Sequence, residues 1–250
     1  MAGHSHWAGI KHKKAAVDAK RGKIWSKLSK AIIVAARTGG GDPSFNARLR
    51  VAIDAAKAAG MPKENITRAI KRGTGEIEGA ALEEVVYEGY GPNGVAILCD
   101  VLTDNRNRTT AEIRKCFDLH GGKLGSAGCV AWMFDTKGLF LIASDKVSEE
   151  KLMEAALEAG AEDVKREGDR FAVTCDPSAF AALSDALAAA EIPCESAEIT
   201  RIAKDYVDLD ADAARKVLKL MEELDEHDDV QNVSSNFNIP DEVLAELTAS

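Results

Sequence analysis

Residues 138–202 constrain the fold most. Within this short span the chain reads as a strand "GLFLIA", a helix "SEEKLMEAALEAG", a strand "AEDVKRE", a strand "RFAVTC", a helix "PSAFAALSDALAAAE" and a strand "ESAEITRI". Runs that alternate or are β-branched suit half-buried strands, and the alanine- and leucine-rich runs with apolar residues three and four apart suit helices. The order β-α-β-β-α-β is that of a ferredoxin-like domain, in which two helices cover one sheet. An α+β fold follows.

The flanking segments belong to something else. Upstream, "VVYEGYGPNGVAILCDVLT" predicts two strands about a Gly/Pro turn at Gly89 to Gly94. "TTAEIRKCFDLHGG" predicts a helix with a Thr109–Glu112 capping box and a stop at Gly121, and "CVAWMFDT" predicts a strand. Downstream, the helix "DADAARKVLKLMEELDEHDD" and the strand "VQNVSSNFNI" have no partners of their own. Residues 94–134 supply β-α-β, which these two elements complete. The expectation is therefore three domains: a basic all-helical domain over 1–76, a discontinuous α+β domain over 77–136 plus 205–250, and an inserted ferredoxin-like domain over 137–204, so that one of two ferredoxin-like α+β domains is inserted in the other.

The N-terminal helices follow from their punctuation. One is expected from about Lys20 to Arg37, ending at "TGGG". A second has Asp42 as its cap, Pro43 at its first position and Gly60 as its terminator; a third lies between Pro62 and Gly73. Charge sets this region apart. Residues 1–75 hold 16 Lys and Arg against 4 Asp and Glu, whereas residues 76–250 hold 16 against 37, so the formal net charge of -9 conceals a basic end. A chain so divided suits nucleic acid, or an acidic surface, at its basic part.

At 100° per residue, Lys20, Lys23, Lys27, Lys30 and Arg37 fall on one face of the first helix, and Ile24, Trp25, Leu28, Ala31, Ile32 and Ala35 on another, with Arg21 on the apolar side. Lys11, Lys13 and Lys14 precede it as an arm without hydrophobic pattern, and Arg48, Arg50, Arg68, Lys71 and Arg72 follow on the later helices. This row of cations is expected to contact phosphates and release counterions; the alternative is a solvated helix face. The helix is too rich in alanine for lipid insertion. A second candidate is "TDNRNRTTAE", where Arg106 and Arg108 stand ahead of a helix start that itself favours an anion, with Asn105 and Asn107 as donors. There the alternative is a capping loop whose arginines pair with Asp100 or Asp104.

Other chemistries find little support. The apolar runs are too short to span a membrane, and "MAGHSHWAGI" lacks a signal-peptide core, so a cytoplasmic protein is expected. Cys99, Cys116, Cys129, Cys175 and Cys194 contain no CxxC pair and read as buried apolar residues. Cys116 and His120 stand four apart and Cys129 follows, without a fourth metal ligand; His4 could chelate stray Cu(II) or Ni(II) beside a free amine. No catalytic triad spacing or phosphate-binding loop is evident, so no metal site, no cofactor and no enzymatic activity are expected. Residues 205–250 hold 13 acids against 3 bases, a solvated face or a surface that orients nucleic acid or meets a basic partner. A monomer or weak oligomer is expected.

Taken together, "MAGHSHWAGIKHKKAAVDAKRGKIWSKL", "GGGDPSFNARLR", "MPKENITRAIKRG", "YEGYGPNGVA" and "TDNRNRTTAEIRK" closely resemble the YebC family, in order and through essentially the whole chain. The resemblance implies a cytosolic three-domain protein with one helical and two α+β domains. Bacterial members are generally named transcriptional regulators that bind DNA; a mitochondrial relative activates translation, and relief of stalled elongation on the ribosome is proposed for bacterial members. His6, Ala47 and Cys129 stand where lysine, proline and serine are usual. The first expectation is therefore a DNA-binding transcriptional regulator. The second is a ribosome-associated factor that binds ribosomal RNA, and the third a protein-interaction scaffold working through the acidic domains. The sequence displays no helix-turn-helix with a distinct base-reading helix.

Overall fold

The computed structural model describes residues 21–79, 81–240 and 242–243. Three helices come first: α1 (Arg21–Gly39), α2 (Ala47–Ala58) and α3 (Lys63–Gly73). The hairpin β1 (Glu83–Tyr90) and β2 (Ala96–Thr103), helix α4 (Arg106–Leu119) and the short β3 (Lys123–Leu124) follow. Next come β4 (Phe134–Ala143), α5 (Glu149–Glu158), β5 (Ala161–Glu167), β6 (Arg170–Cys175), α6 (Phe180–Ala189) and β7 (Ser196–Ala203). The chain continues through β8 (Val207–Asp208), α7 (Ala211–Glu226), β9 (Val230–Ser235) and β10 (Phe237–Asn238).

The described chain forms two compact units. One holds 21–129 with 215–233, the other 130–214 with the residues from 234 onward. In the second, the strand order β5-β6-β4-β7 with antiparallel pairing throughout is that of a ferredoxin-like sheet, as the element order requires. Residues Leu139 to Ile142 of β4, a central strand of this sheet, are all buried. Phe140 stacks on Phe180 of α6 at 4.7 Å, while Leu139 and Leu141 pack with Ala172 and Ile202. Successive side chains point to opposite faces, so one strand serves both layers.

In the first unit the strand order is β3-β1-β2-β9, so β9 joins a sheet whose other strands lie more than a hundred residues earlier. This is the pairing expected for the discontinuous α+β segment. The helices do not stand apart from that sheet. Ile32 to Ala36 of α1, Leu49, Ile53 and Ala56 of α2, and Ile66 and Ala69 of α3 form one buried cluster that also takes in Leu82 and Leu102. Trp25 anchors α1 to the turn after α2, its Nε1 donating to the Ala59 carbonyl at 3.0 Å.

Several expected boundaries move, each for a local reason. Asp42 does not cap α2: its carboxylate accepts from Ser44 N at 2.9 Å and closes a turn, so Pro43 lies outside the helix. Asn46 is the cap, accepting from Leu49 N at 3.0 Å while its Nδ2 donates to Ala35 O and Gly40 O, both at 2.8 Å. The Thr109–Glu112 capping box does not form either. Asn105 caps α4 by accepting from Arg108 N at 3.1 Å, and Thr109 is buried one turn further in. "CVAWMFDT" and "GLFLIA" are not two strands: Ala131–Met133 is a 3-10 turn, and β4 runs unbroken from Phe134 across the expected boundary at 136/137. "VQNVSSNFNI" divides instead, β9 joining the first sheet and β10 pairing in parallel with β8.

Candidate nucleic-acid interface

The fourteen expected contact residues fall into three groups. Lys11, Lys13, Lys14 and Lys20 lie outside the described residues, as does the side chain of Arg21.

A second group is engaged within the first unit. The lysines of α1 face the C-terminal end of α7, whose last turn carries no base. Lys23 Nζ reaches Glu226 O at 3.4 Å, Lys27 Nζ donates to Asp225 O, and Lys30 Nζ donates to Asp228 O at 3.0 Å. The last carbonyls of a helix lack partners and form the negative end of its dipole, and here three acidic residues crowd the same place. The lysine row supplies the charge that the helix end lacks. The acidic segment thus meets a basic partner, and that partner is this chain's own first helix. Lys23, Lys27 and Lys30 are thus each in contact with the end of α7, Lys23 at the longest distance and on the exposed side.

Beyond that helix end lies Asp229, whose side chain is 4% exposed. Lys30 Nζ stands 2.5 Å from its Oδ1, and Arg108 Nη2 and Thr109 Oγ1 each donate to its Oδ2 at 2.7 Å. The buried Thr103 hydroxyl is 3.2 Å from the same oxygen and 2.7 Å from Thr109 Oγ1. Burial alone would raise the Asp229 pKa, yet the donors Lys30, Thr109 and Arg108 hold it well below the usual carboxylate range. Arg108 also pairs with Asp104 at 3.1 Å and Glu112 at 3.8 Å. Arg108 is therefore a structural cation, in line with the capping-loop alternative. Two motifs read separately from the sequence converge on one carboxylate that sequence reasoning missed, since nothing marks Asp229 among its acidic neighbours.

Glu112, His227 and Asp229 place ligand atoms within 4.8 Å of one another. His227 Nδ1 accepts from Asp229 N at 3.1 Å and its Nε2 stands 3.0 Å from Glu112 Oε2. With Lys30 and Arg108 already on the Asp229 carboxylate, a further cation meets repulsion there. His120 pairs with Glu223, and burial and Glu223 push the Cys116 thiol up to about 11. Cys99, Cys116 and Cys175 are buried as expected, whereas Cys194 is exposed and Cys129 half-buried.

The third group faces water. Arg48 is held bidentately by Glu84, at 2.7 and 3.2 Å. Arg50, Lys71, Arg72 and Arg106 are exposed and have no ion pair among the described residues, and the same holds for Arg37, Lys63 and Arg68. Helices α2 and α3 are joined by the four residues 59–62, with Gly60 at φ +70°. A glycine-containing turn of this length is the connection used by helix-turn-helix modules. On α3, Ile66 and Ala69 are buried while Lys63, Glu64, Thr67, Arg68, Lys71 and Arg72 face solvent.

The chain matches the model of the TACO1/YebC protein N-terminal domain over residues 5–76 and that of the TACO1/YebC second and third domain over residues 82–237. The chain belongs to the TACO1/YebC family. A relative from Rhodopirellula baltica is 58% identical over 98% of this chain and 100% of its own, and one from Geobacter sulfurreducens 56% identical over 99% and 100%. Both are named probable transcriptional regulatory protein. The crystal structure of a conserved hypothetical protein from Aquifex aeolicus superposes with a TM-score of 0.86 at 51% identity, covering 96% of this chain and 99% of that one. The family's division after residue 76 coincides with the change from helices to sheet, within the first compact unit.

Proposed function

We propose that this chain is a non-enzymatic, nucleic-acid-binding regulator of gene expression. The exposed face of α3 carries the reading: Lys63, Arg68, Lys71 and Arg72 stand on one short helix against the single acid Glu64, and no carboxylate among the described residues pairs with them. Such a surface binds a polyanion by neutralising phosphates, with an affinity that falls steeply with salt. The names of the relatives support a role in transcription, which makes DNA the first polymer, and a helix presented after a short glycine turn suits a groove. No described helix is long and apolar enough to cross a membrane.

The experiment is a salt titration. Replacing Lys71 and Arg72 by alanine should weaken binding to duplex DNA and flatten the log–log salt slope by about 0.9 for each phosphate no longer neutralised. An unchanged slope would show that α3 does not grip the phosphates. The Lys27→Gln variant should keep its slope, since Lys27 serves α7.

A second reading, a ribosome-associated translation factor, is favoured by the aromatic ring of Phe45, which is 89% exposed and precedes Arg48 and Arg50 closely in sequence. Crosslinking in cells separates the two: recovery of promoter DNA supports the first reading, and recovery of predominantly ribosomal RNA overturns it in favour of the second.

A further inference from the structure

Phe45 is the most exposed large apolar residue among those described, at 89%. A lone exposed apolar side chain is ordinary. This one differs in how firmly its backbone is held and in what adjoins it. Phe45 N donates to Asp42 O at 3.2 Å and Ser44 N to the Asp42 carboxylate at 2.9 Å, so the preceding residues form a closed turn. The next residue, Asn46, is 6% exposed and ties the loop to α1 through Ala35 O and Gly40 O while capping α2. A β-carbon on Gly39 would stand 2.7 Å from the Asn46 amide, so the helix end and the loop are in direct contact. The ring thus stands on a backbone that is already held, so little backbone freedom is left to lose on binding.

The two residues before it, Pro43 and Ser44, line a cavity of about 260 Å³ together with Arg50, Ile53, Asp54 and Lys57 of α2. Arg50, Ile53, Asp54 and Lys57 share one face of α2 by their spacing of three, four and seven residues. Lys57 pairs with Asp54 at 3.0 Å, in an exposed contact, and Arg50 has no ion pair among the described residues. The cavity therefore carries one net positive charge, an apolar patch at Ile53 and polar walls. An exposed ring carried by the residue that follows the wall of a small cationic recess offers the two elements that hold an unpaired nucleotide, a face for the base and a cation for the phosphate.

We infer that Phe45 and this recess bind one unpaired nucleotide of an RNA strand, the base stacked on the Phe45 ring and the phosphate on Arg50. The inference rests on the RNA-binding reading given second above and adds a subsite to it. A base can present its face to Phe45 only when it has left the stack. RNA loops and bulges hold bases in that state, whereas duplex DNA keeps both faces of every base covered.

The test uses the full chain and three fluorescent probes: an RNA stem-loop, a fully paired RNA duplex of the same stem, and single-stranded DNA with the loop sequence. Phe45→Ala should bind the stem-loop between about fivefold and a hundredfold more weakly, the range for removing one base–aromatic stack. It should bind the paired duplex as before and keep its melting temperature, because the ring is outside the core. Phe45→Trp should retain the affinity, and the emission it adds to that of the three native tryptophans should be quenched by the stem-loop and not by the paired duplex. Arg50→Gln should weaken binding of the stem-loop and reduce its salt slope. Equal binding of the stem-loop by the parent and Phe45→Ala proteins, or an equal loss on the duplex, would overturn the subsite while leaving salt-dependent phosphate binding intact. The same Phe45-dependent loss on the DNA strand, at equal affinity, would overturn the assignment to RNA. If the parent protein bound none of the probes in a salt-dependent way, both this inference and the nucleic-acid reading would fall.

Discussion

Lys30 Nζ lies 2.5 Å from Asp229 Oδ1, joining the first helix to a residue 199 positions later in the chain. Arg108 and Thr109 complete the shell of that carboxylate, so the contact ties α1, α4 and the segment between α7 and β9 together. Its energetic weight comes from burial. In water such a pair contributes little, but a carboxylate with three good donors in a shielded place is costly to unmake.

Removing the carboxylate should therefore be destabilising. Asp229→Ala removes the shared acceptor of Lys30, Arg108 and the buried Thr103 and Thr109 hydroxyls and is expected to lower stability by about 1–3 kcal/mol, since Lys30 keeps the Asp228 carbonyl and Arg108 keeps Asp104 and Glu112. Urea unfolding at neutral pH measures this.

The same residue predicts an acid response. Its folded pKa is depressed, so its contribution is fully present above the unfolded carboxylate value of about 3.9 and is lost as pH falls below it toward the lower folded value. Stability of the parent protein should drop between about pH 5 and pH 2 more steeply than that of Asp229→Asn. Parallel unfolding curves at pH 7 and pH 3 decide it, and equal losses in both proteins would remove Asp229 from the account.

Lys27 should behave as part of the fold. Its ammonium donates to the Asp225 carbonyl at the end of α7, so Lys27→Gln is expected to cost about 0.3–1 kcal/mol by removing the positive charge at the helix end. The cost should shrink in high salt, which thermal melts at two ionic strengths would show.

Gly73 marks a close approach. A β-carbon there would stand 2.5 Å from the Ile33 carbonyl oxygen and 2.6 Å from the Ala36 β-carbon, so α3 would have to move off α1. Gly73→Ala should destabilise by about 1–3 kcal/mol, the range for overpacking, although alanine is the better helix former. A stabilised variant would refute the close approach.

Ala47 occupies the first position of α2, directly after the Asn46 cap. Proline suits that position because its φ is already helical and its missing N–H is not needed by the helix. Ala47→Pro should raise stability by about 0.4–1 kcal/mol by restricting the unfolded chain. A fall in melting temperature would place the helix start elsewhere.

Much of this fold was legible in periodicity. The ferredoxin-like unit and the return of β9 to the first sheet follow from element order, because a strand without a neighbour must find one. The caps were less legible. Asp42, Asn46, Asn105 and Thr109 are all competent caps by type, and the choice among them depends on which side chain the rest of the fold claims. Asn46 is claimed by the Ala35 and Gly40 carbonyls and Thr109 by Asp229.

Residue type and spacing were enough to specify the α+β class, the local logic of the strand order and the concentration of positive charge before residue 76. Which of those charges face water was settled by the folded chain alone. Helical spacing places Lys23, Lys27 and Lys30 on one face but cannot say that the carbonyls and carboxylates ending α7 lie opposite them. A charge is free or engaged according to what stands within a few ångströms, and distant segments reach that range only when the chain has folded.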